Sequence, residues 1–99
     1  MKTLLVAEYR DGELLGSVYE LVAFAEKIGA SSAMFLVGSD NELPQYNGTL
    51  YLADSNKYSE FNPAVHKQLL LDVISKEQPY MVVFSHSSYC WDLAARIAL

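Results

Sequence analysis

TLLVA, residues 3–7, is an aliphatic run with no polar alternation, which marks a strand buried on both faces of a parallel sheet rather than one with a wet face. It should therefore lie in the interior of the sheet. Downstream, Asp11-Gly12 marks a turn. Ser17 and Glu20 have the spacing of a capping box, in which the serine hydroxyl accepts from an orphan amide and the glutamate reaches back. Val18, Leu21, Val22, Ala25 and Ile28 recur at helical spacing, so residues 18–28 are expected to form one amphipathic helix, with Lys27 in its last turn and Gly29 as a left-handed stop. Ala33-Met34-Phe35-Leu36-Val37 is a second unbroken apolar run, and strand, helix, strand in that order implies a parallel pair joined by a right-handed crossover.

Past Gly38, residues 39–48 read as a loop containing Asn41, Pro44 and Asn47. A shorter, alternating strand follows at Thr49-Leu50-Tyr51-Leu52, which suits an edge. Asn62 and Pro63 are the residue types wanted at a helix N-cap and first position; that helix should run to about Glu77, where Gln78-Pro79 stops it. Tyr80-Met81-Val82-Val83-Phe84 is the fourth strand, expected in the interior because it too lacks alternation. A last helix follows SHSSYC. The whole is an α/β pattern. If the long helix carries the chain back past the first strand, the result is a three-layer fold around a mostly parallel sheet of order 3-2-1-4. A switch point then opens between the first and fourth strands, and its crevice would be lined by Ala7-Glu8-Tyr9 and by Ser85-His86-Ser87-Ser88.

With 99 residues, 52% of them hydrophobic, there is material for one compact core, so residues 1–99 are read as a single domain or domain fragment. Twelve acidic against seven basic side chains give a net charge of −5 without a basic cluster, which argues against nucleic acid as a partner. Cys90 is the sole cysteine and lacks the spaced companions of a zinc site. TLLVA is too short for a signal peptide or a membrane span, so no membrane insertion and a prokaryotic cytoplasmic setting are expected.

The serines at 85, 87 and 88 lie where open α/β sheets place ligands, and amides at the following helix start could meet an anion. No Gly-rich phosphate loop accompanies them, so a simpler reading is that one serine caps the helix and the others satisfy loop backbone. His86 sits between serines but outside any G-x-S-x-G elbow, and no catalytic residue is assigned. His66 falls among Leu69, Leu70 and Val73 on a helix face and is expected at the core edge, not on a metal. Cys90 lies in the first turn of the last helix, where the dipole would lower a thiol pKa. Asp92 and Arg96 can pair one turn apart. Trp91 beside them is a large aromatic of the kind that anchors interfaces. The seven tyrosines are not interleaved with Lys or Arg and form no base-stacking platform.

Several of these stretches together resemble one family. Val6-Ala7-Glu8, Asp11-Gly12-Glu13-Leu14, Glu20-Leu21, Ala25, Ile28-Gly29 and Asp92-Leu93-Ala94-Ala95-Arg96 are similar to the N-terminal domain of the electron transfer flavoprotein alpha subunit, over essentially the whole chain. Where that family often reads Gly-Arg-Asp-Leu-Ala-Pro-Arg, residues 90–96 keep Asp92, Leu93, Ala94 and Arg96 and depart at Cys90, Trp91 and Ala95. The resemblance implies an adenine-nucleotide alpha-hydrolase-like fold, here without its last strand. It also implies a heterodimer with a beta subunit that carries electrons from flavin dehydrogenases to the respiratory chain.

In that family FAD is held mainly by the alpha subunit's C-terminal domain, so the resemblance implies no cofactor and no catalytic site for this piece. Its expected part is scaffolding and subunit contact, with Trp91, Asp92 and Arg96 as the interface residues. A sheet ending one strand early would leave Met81–Phe84 as an edge and invite self-association. The alternative is a small adenine-nucleotide-binding module of the same fold. In it Glu8, beside Ala7, would reach a ribose or amine, and Ser87 and Ser88, with Ser85, would stand near phosphate.

Overall fold

The computed structural model describes residues 2–10, 12–39, 43–58, 62–85 and 87–98. Four parallel strands form its main sheet: β1 (Lys2–Val6), β4 (Ser31–Gly38), β5 (Thr49–Asp54) and β6 (Met81–Phe84), in the order β5-β4-β1-β6. This is the 3-2-1-4 order expected from the sequence. Between β1 and β4 come a two-residue antiparallel hairpin, β2 (Tyr9–Arg10) with β3 (Glu13–Leu14), and the helix α1 (Ser17–Lys27). The chain continues from β5 through α2 (Ser55–Tyr58) and α3 (Pro63–Glu77), and from β6 into α4 (Ser88–Ala98).

Why TLLVA lacks alternation is now visible. Leu4 and Val6 point into one core with Phe35, Leu70 of α3 and Leu93 of α4, while Leu5 and Ala7 point into a second with Met34 and with Val18, Leu21 and Ala25 of α1. Helices cover both faces, and the fold is a three-layer α/β sandwich. β1 is the interior strand, paired with β4 from Lys2↔Ser31 to Val6↔Phe35 and with β6 from Thr3↔Met81 to Val6↔Phe84. Gly38 closes β4 beneath the Tyr9 ring, where an added Cβ would stand 3.0 Å from Tyr9 Cγ. A side chain there would displace a tyrosine that is itself buried.

Four expectations need correction. β6 is an edge, not an interior strand: among the described residues it pairs with β1 alone, and all four of its residues are half-buried. Continuous apolarity reports helices on both faces and says nothing about neighbours in the sheet plane. The capping box of Ser17 and Glu20 does not form. Gly16 occupies the cap position without a side-chain bond, Ser17 is already helical, and the first turn closes through Val18 N–H donating to Leu15 O and Tyr19 N–H to Gly16 O. α1 accordingly spans 17–27 rather than 18–28, and Gly29, at φ 70°, provides the left-handed stop. The third and fourth corrections are additions. The β2–β3 hairpin and α2 consist of segments too short to show periodicity, and β5 runs on to Asp54, whose carboxylate receives the Asn56 N–H at 2.9 Å.

α3 begins as expected, with Asn62 Oδ1 accepting from Val65 N–H and Pro63 in the first turn, and it ends at Gln78 in the left-handed conformation. Its last residue ties three elements together. Glu77 accepts from Lys2 Nζ of β1 at 2.8 Å and from the Tyr51 hydroxyl of β5. The Lys2 contact, then the Tyr51 bond, holds the Glu77 carboxyl below its ordinary 4.5. A depressed folded-state pKa adds stability that is complete above the unfolded value and disappears as pH falls through the folded one. The acid limb of a stability-versus-pH curve should therefore flatten below pH 4.5 in Glu77→Gln; an unchanged limb in urea melts would contradict this linkage.

Candidate functional site

β1 and β6 both end at one rim of the sheet, and the chain leaves them in opposite directions, to the hairpin and to α4. This is the switch point at which α/β sheets gather ligands. The structure brings Ala7, Glu8, Ser85 and Ser87 to this rim. His86 lies outside the described residues.

Glu8 is 2% exposed, yet it is ionisable, so its carboxylate needs partners inside the protein. It has two. Oε1 accepts from Ser87 Oγ at 2.6 Å, and Oε2 meets the Arg10 guanidinium, which comes from the next residue but one on β2 and remains partly exposed. Ser87 also closes the helix that follows it. Its Oγ accepts from the Cys90 backbone N–H at 3.1 Å, and its carbonyl receives Trp91 N–H at 2.9 Å. Ser87 is thus the N-cap of α4, and the negative charge standing near that positive helix end is the chain's own Glu8. Ser85, 8% exposed, has a buried hydroxyl without a hydrogen-bond partner among the described residues, while Ser88 is exposed.

Cys90 follows, fully buried. Burial pushes its thiol above the ordinary 9.0, the Glu8 charge adds to the rise, and the Ser87 hydroxyl offsets part of it. The expectation of a lowered thiol pKa is therefore reversed: desolvation outweighs the helix dipole at this depth.

His66 also departs from expectation, being fully buried between α3 and α4 rather than at the core edge. Its Nε2 lies 3.2 Å from Tyr58 O, which can only accept, so that nitrogen carries the proton in the neutral ring. Nδ1, 2.7 Å from the Tyr89 hydroxyl, then accepts from it. Burial, followed by the nearby Cys90 and Glu8, raises the Tyr89 hydroxyl's pKa far above its ordinary value and keeps it a donor. Histidine and tyrosine together join α2, α3 and α4. Among the described residues no group of His, Cys, Asp or Glu side chains is arranged to hold a metal ion.

The outer face of α4 is a different surface. Trp91 is 65% exposed, and beside it Asp92 and Arg96 pair at 2.8 Å with both side chains in solvent. The three residues singled out for interface work share one exposed strip. A second concavity, an open apolar groove of about 250 Å³, lies between β5 and α3 and is lined by Phe35, Tyr51, Leu52, Leu69 and Val73, with Asp72 at its rim. Among the described residues no helix is long and apolar enough to cross a membrane.

The switch point does not suit a flavin or nucleotide phosphate. The Cys90 and Trp91 amides are engaged by Ser87, the Ser87 hydroxyl is engaged by Glu8, and the nearby buried charge has the sign of a phosphate. What sequence reasoning missed was this internal pairing, because Glu8 and Ser87 are 79 positions apart.

Comparison with known proteins agrees with the resemblance read from the residues. The chain is 28% identical over 105 aligned residues to the electron transfer flavoprotein subunit alpha of Bacillus subtilis (strain 168), covering 98% of this chain and 32% of that protein. It is 24% identical over 102 residues to the subunit of the same name from Syntrophomonas wolfei subsp. wolfei, covering 97% of this chain and 32% of the relative. The chain thus spans about a third of the length of the curated relatives it matches. No protein-family model matches it.

Proposed function

We propose that this chain corresponds to the N-terminal part of an electron transfer flavoprotein alpha subunit. It serves as scaffold and subunit-contact surface in a cytoplasmic heterodimer that carries electrons from flavin dehydrogenases to the respiratory chain. The observation that carries the reading is similarity over nearly the whole chain to two subunits of that name, joined to a fold of the expected strand order. The partner is a beta subunit. The contact strip is Trp91, Asp92 and Arg96 on the outer face of α4, where a large exposed aromatic is flanked by a charged pair.

The same reading places FAD in the parent complex and not on these residues. Support comes from the switch point, whose cap, amides and charge are satisfied within the chain. The chain acts as an electron-carrier component with no catalytic site of its own. Dialysed against excess FAD and passed over a desalting column, the purified chain should emerge colourless. Stoichiometric flavin absorbance on the isolated chain would overturn the scaffold assignment.

A further inference from the structure

The two edges of the sheet are built differently. At the β5 edge residues alternate in exposure, Asp54 stands at the strand end, and Lys76 lies over the Tyr51 ring at 5.7 Å. Charge close to an edge strand discourages further strands from adding. β6 has no such guard. Met81, Val82, Val83 and Phe84 carry no charge and no proline, and all four are half-buried. Val82 and Phe84 contribute to the core beneath α3 and α4, and Val83 to the core beneath α1. Tyr80, 79% exposed, extends the apolar surface at the strand's start, its N–H donating to Lys2 O at 2.8 Å. Such a strand has the side chains of an interior position and the neighbours of an edge one.

We infer that the open edge of β6 is a self-association surface, filled by β6 of a second copy running antiparallel across a two-fold axis. The register follows from geometry. A two-fold normal to the sheet returns each face to the same face, so residues directly opposite must share a face. Even positions therefore meet even positions, and odd meet odd. Centring on Val83 sets it against its own mate and places Val82 beside the mate's Phe84, so the apolar rows on both faces run unbroken through an eight-stranded sheet. A strand of unrelated sequence would have to match both rows at once, whereas an identical strand matches both by symmetry. Opposing this, each copy carries a net charge of −5. That repulsion is screened by salt, so dimerisation should strengthen as ionic strength rises.

Sedimentation velocity of the full chain, from micromolar to millimolar concentration at low and high salt, tests the inference. A monomer–dimer equilibrium that shifts toward dimer with salt is expected. In Val83→Lys the dissociation constant should weaken by about tenfold or more, while Leu52→Lys, on the β5 edge, should leave it unchanged. Hydrogen exchange of the wild-type chain provides a readout free of any folding defect: amides 82–84 should exchange more slowly at high concentration than at low. A monomer at every concentration would overturn the inference. So would a dimer that survives Val83→Lys with no change in exchange at 82–84, or one abolished by Leu52→Lys.

Discussion

Leu93→Ala should lower the unfolding free energy by about 3–4 kcal/mol. Leu93 is fully buried where α4 meets α3 and the sheet, in one core cluster with Leu4, Val6, Phe35, Leu70 and Tyr89. Truncation removes the transfer free energy of the lost methyl groups and leaves a void that two helices and a strand cannot close together. A chain of this size has a total stability on the order of 5–15 kcal/mol, so the loss would be a large part of it. The urea midpoint should fall with little change in slope. A loss below about 1 kcal/mol, the range of a half-exposed site, would mean that α4 is not packed on this core.

The second large effect is expected at the switch point. Glu8→Ala should cost about 2–3 kcal/mol, because a buried charge with two partners is removed and the Ser87 hydroxyl loses its acceptor. Arg10 is partly exposed and can return to water, which keeps the figure below that of a fully buried pair. Glu8→Gln keeps an acceptor for Ser87 and loses the charge, so about half the cost should remain. Ser87→Ala removes the α4 cap, by itself worth about 0.5–2 kcal/mol. The double variant should cost less than the sum of the singles, by about 0.5 kcal/mol or more, since residues 8 and 87 share one hydrogen bond. Strict additivity in chemical denaturation would show that the bond contributes nothing.

The parts of the fold that were legible in the sequence are those with unambiguous local chemistry. TLLVA and AMFLV had to be covered on both faces, and they are β1 and most of β4. Asn62-Pro63 had to open a helix, and Gly29 had to close one. Where sequence and structure part, local chemistry admitted two outcomes. MVVF is apolar on both faces whether it sits inside the sheet or at its edge, because helices, not neighbouring strands, set that pattern. Ser17 and Glu20 have capping spacing, but the helix begins at Ser17 itself and leaves the serine no free amide three residues on.

The switch point was located correctly in space but not in content. Strand order is a matter of helix length and crossover, which the sequence displays. The partners of Glu8 depend on a tertiary approach across 79 positions, which it does not. Cys90 illustrates the same division: its place at a helix start was readable, whereas its depth, which decides the thiol's behaviour, depended on how α4 docks. His66 and Tyr89, 23 positions apart, form a buried pair that no periodicity announces.

The subunit-contact role is tested most directly by mixing the purified chain with an electron transfer flavoprotein beta subunit and following complex formation by size-exclusion chromatography. A co-eluting complex of one chain with one beta subunit is expected, weakened by Trp91→Ala, whose exposed side chain leaves folding unaffected. Independent elution of the two proteins at concentrations well above those at which stable subunits associate would contradict it.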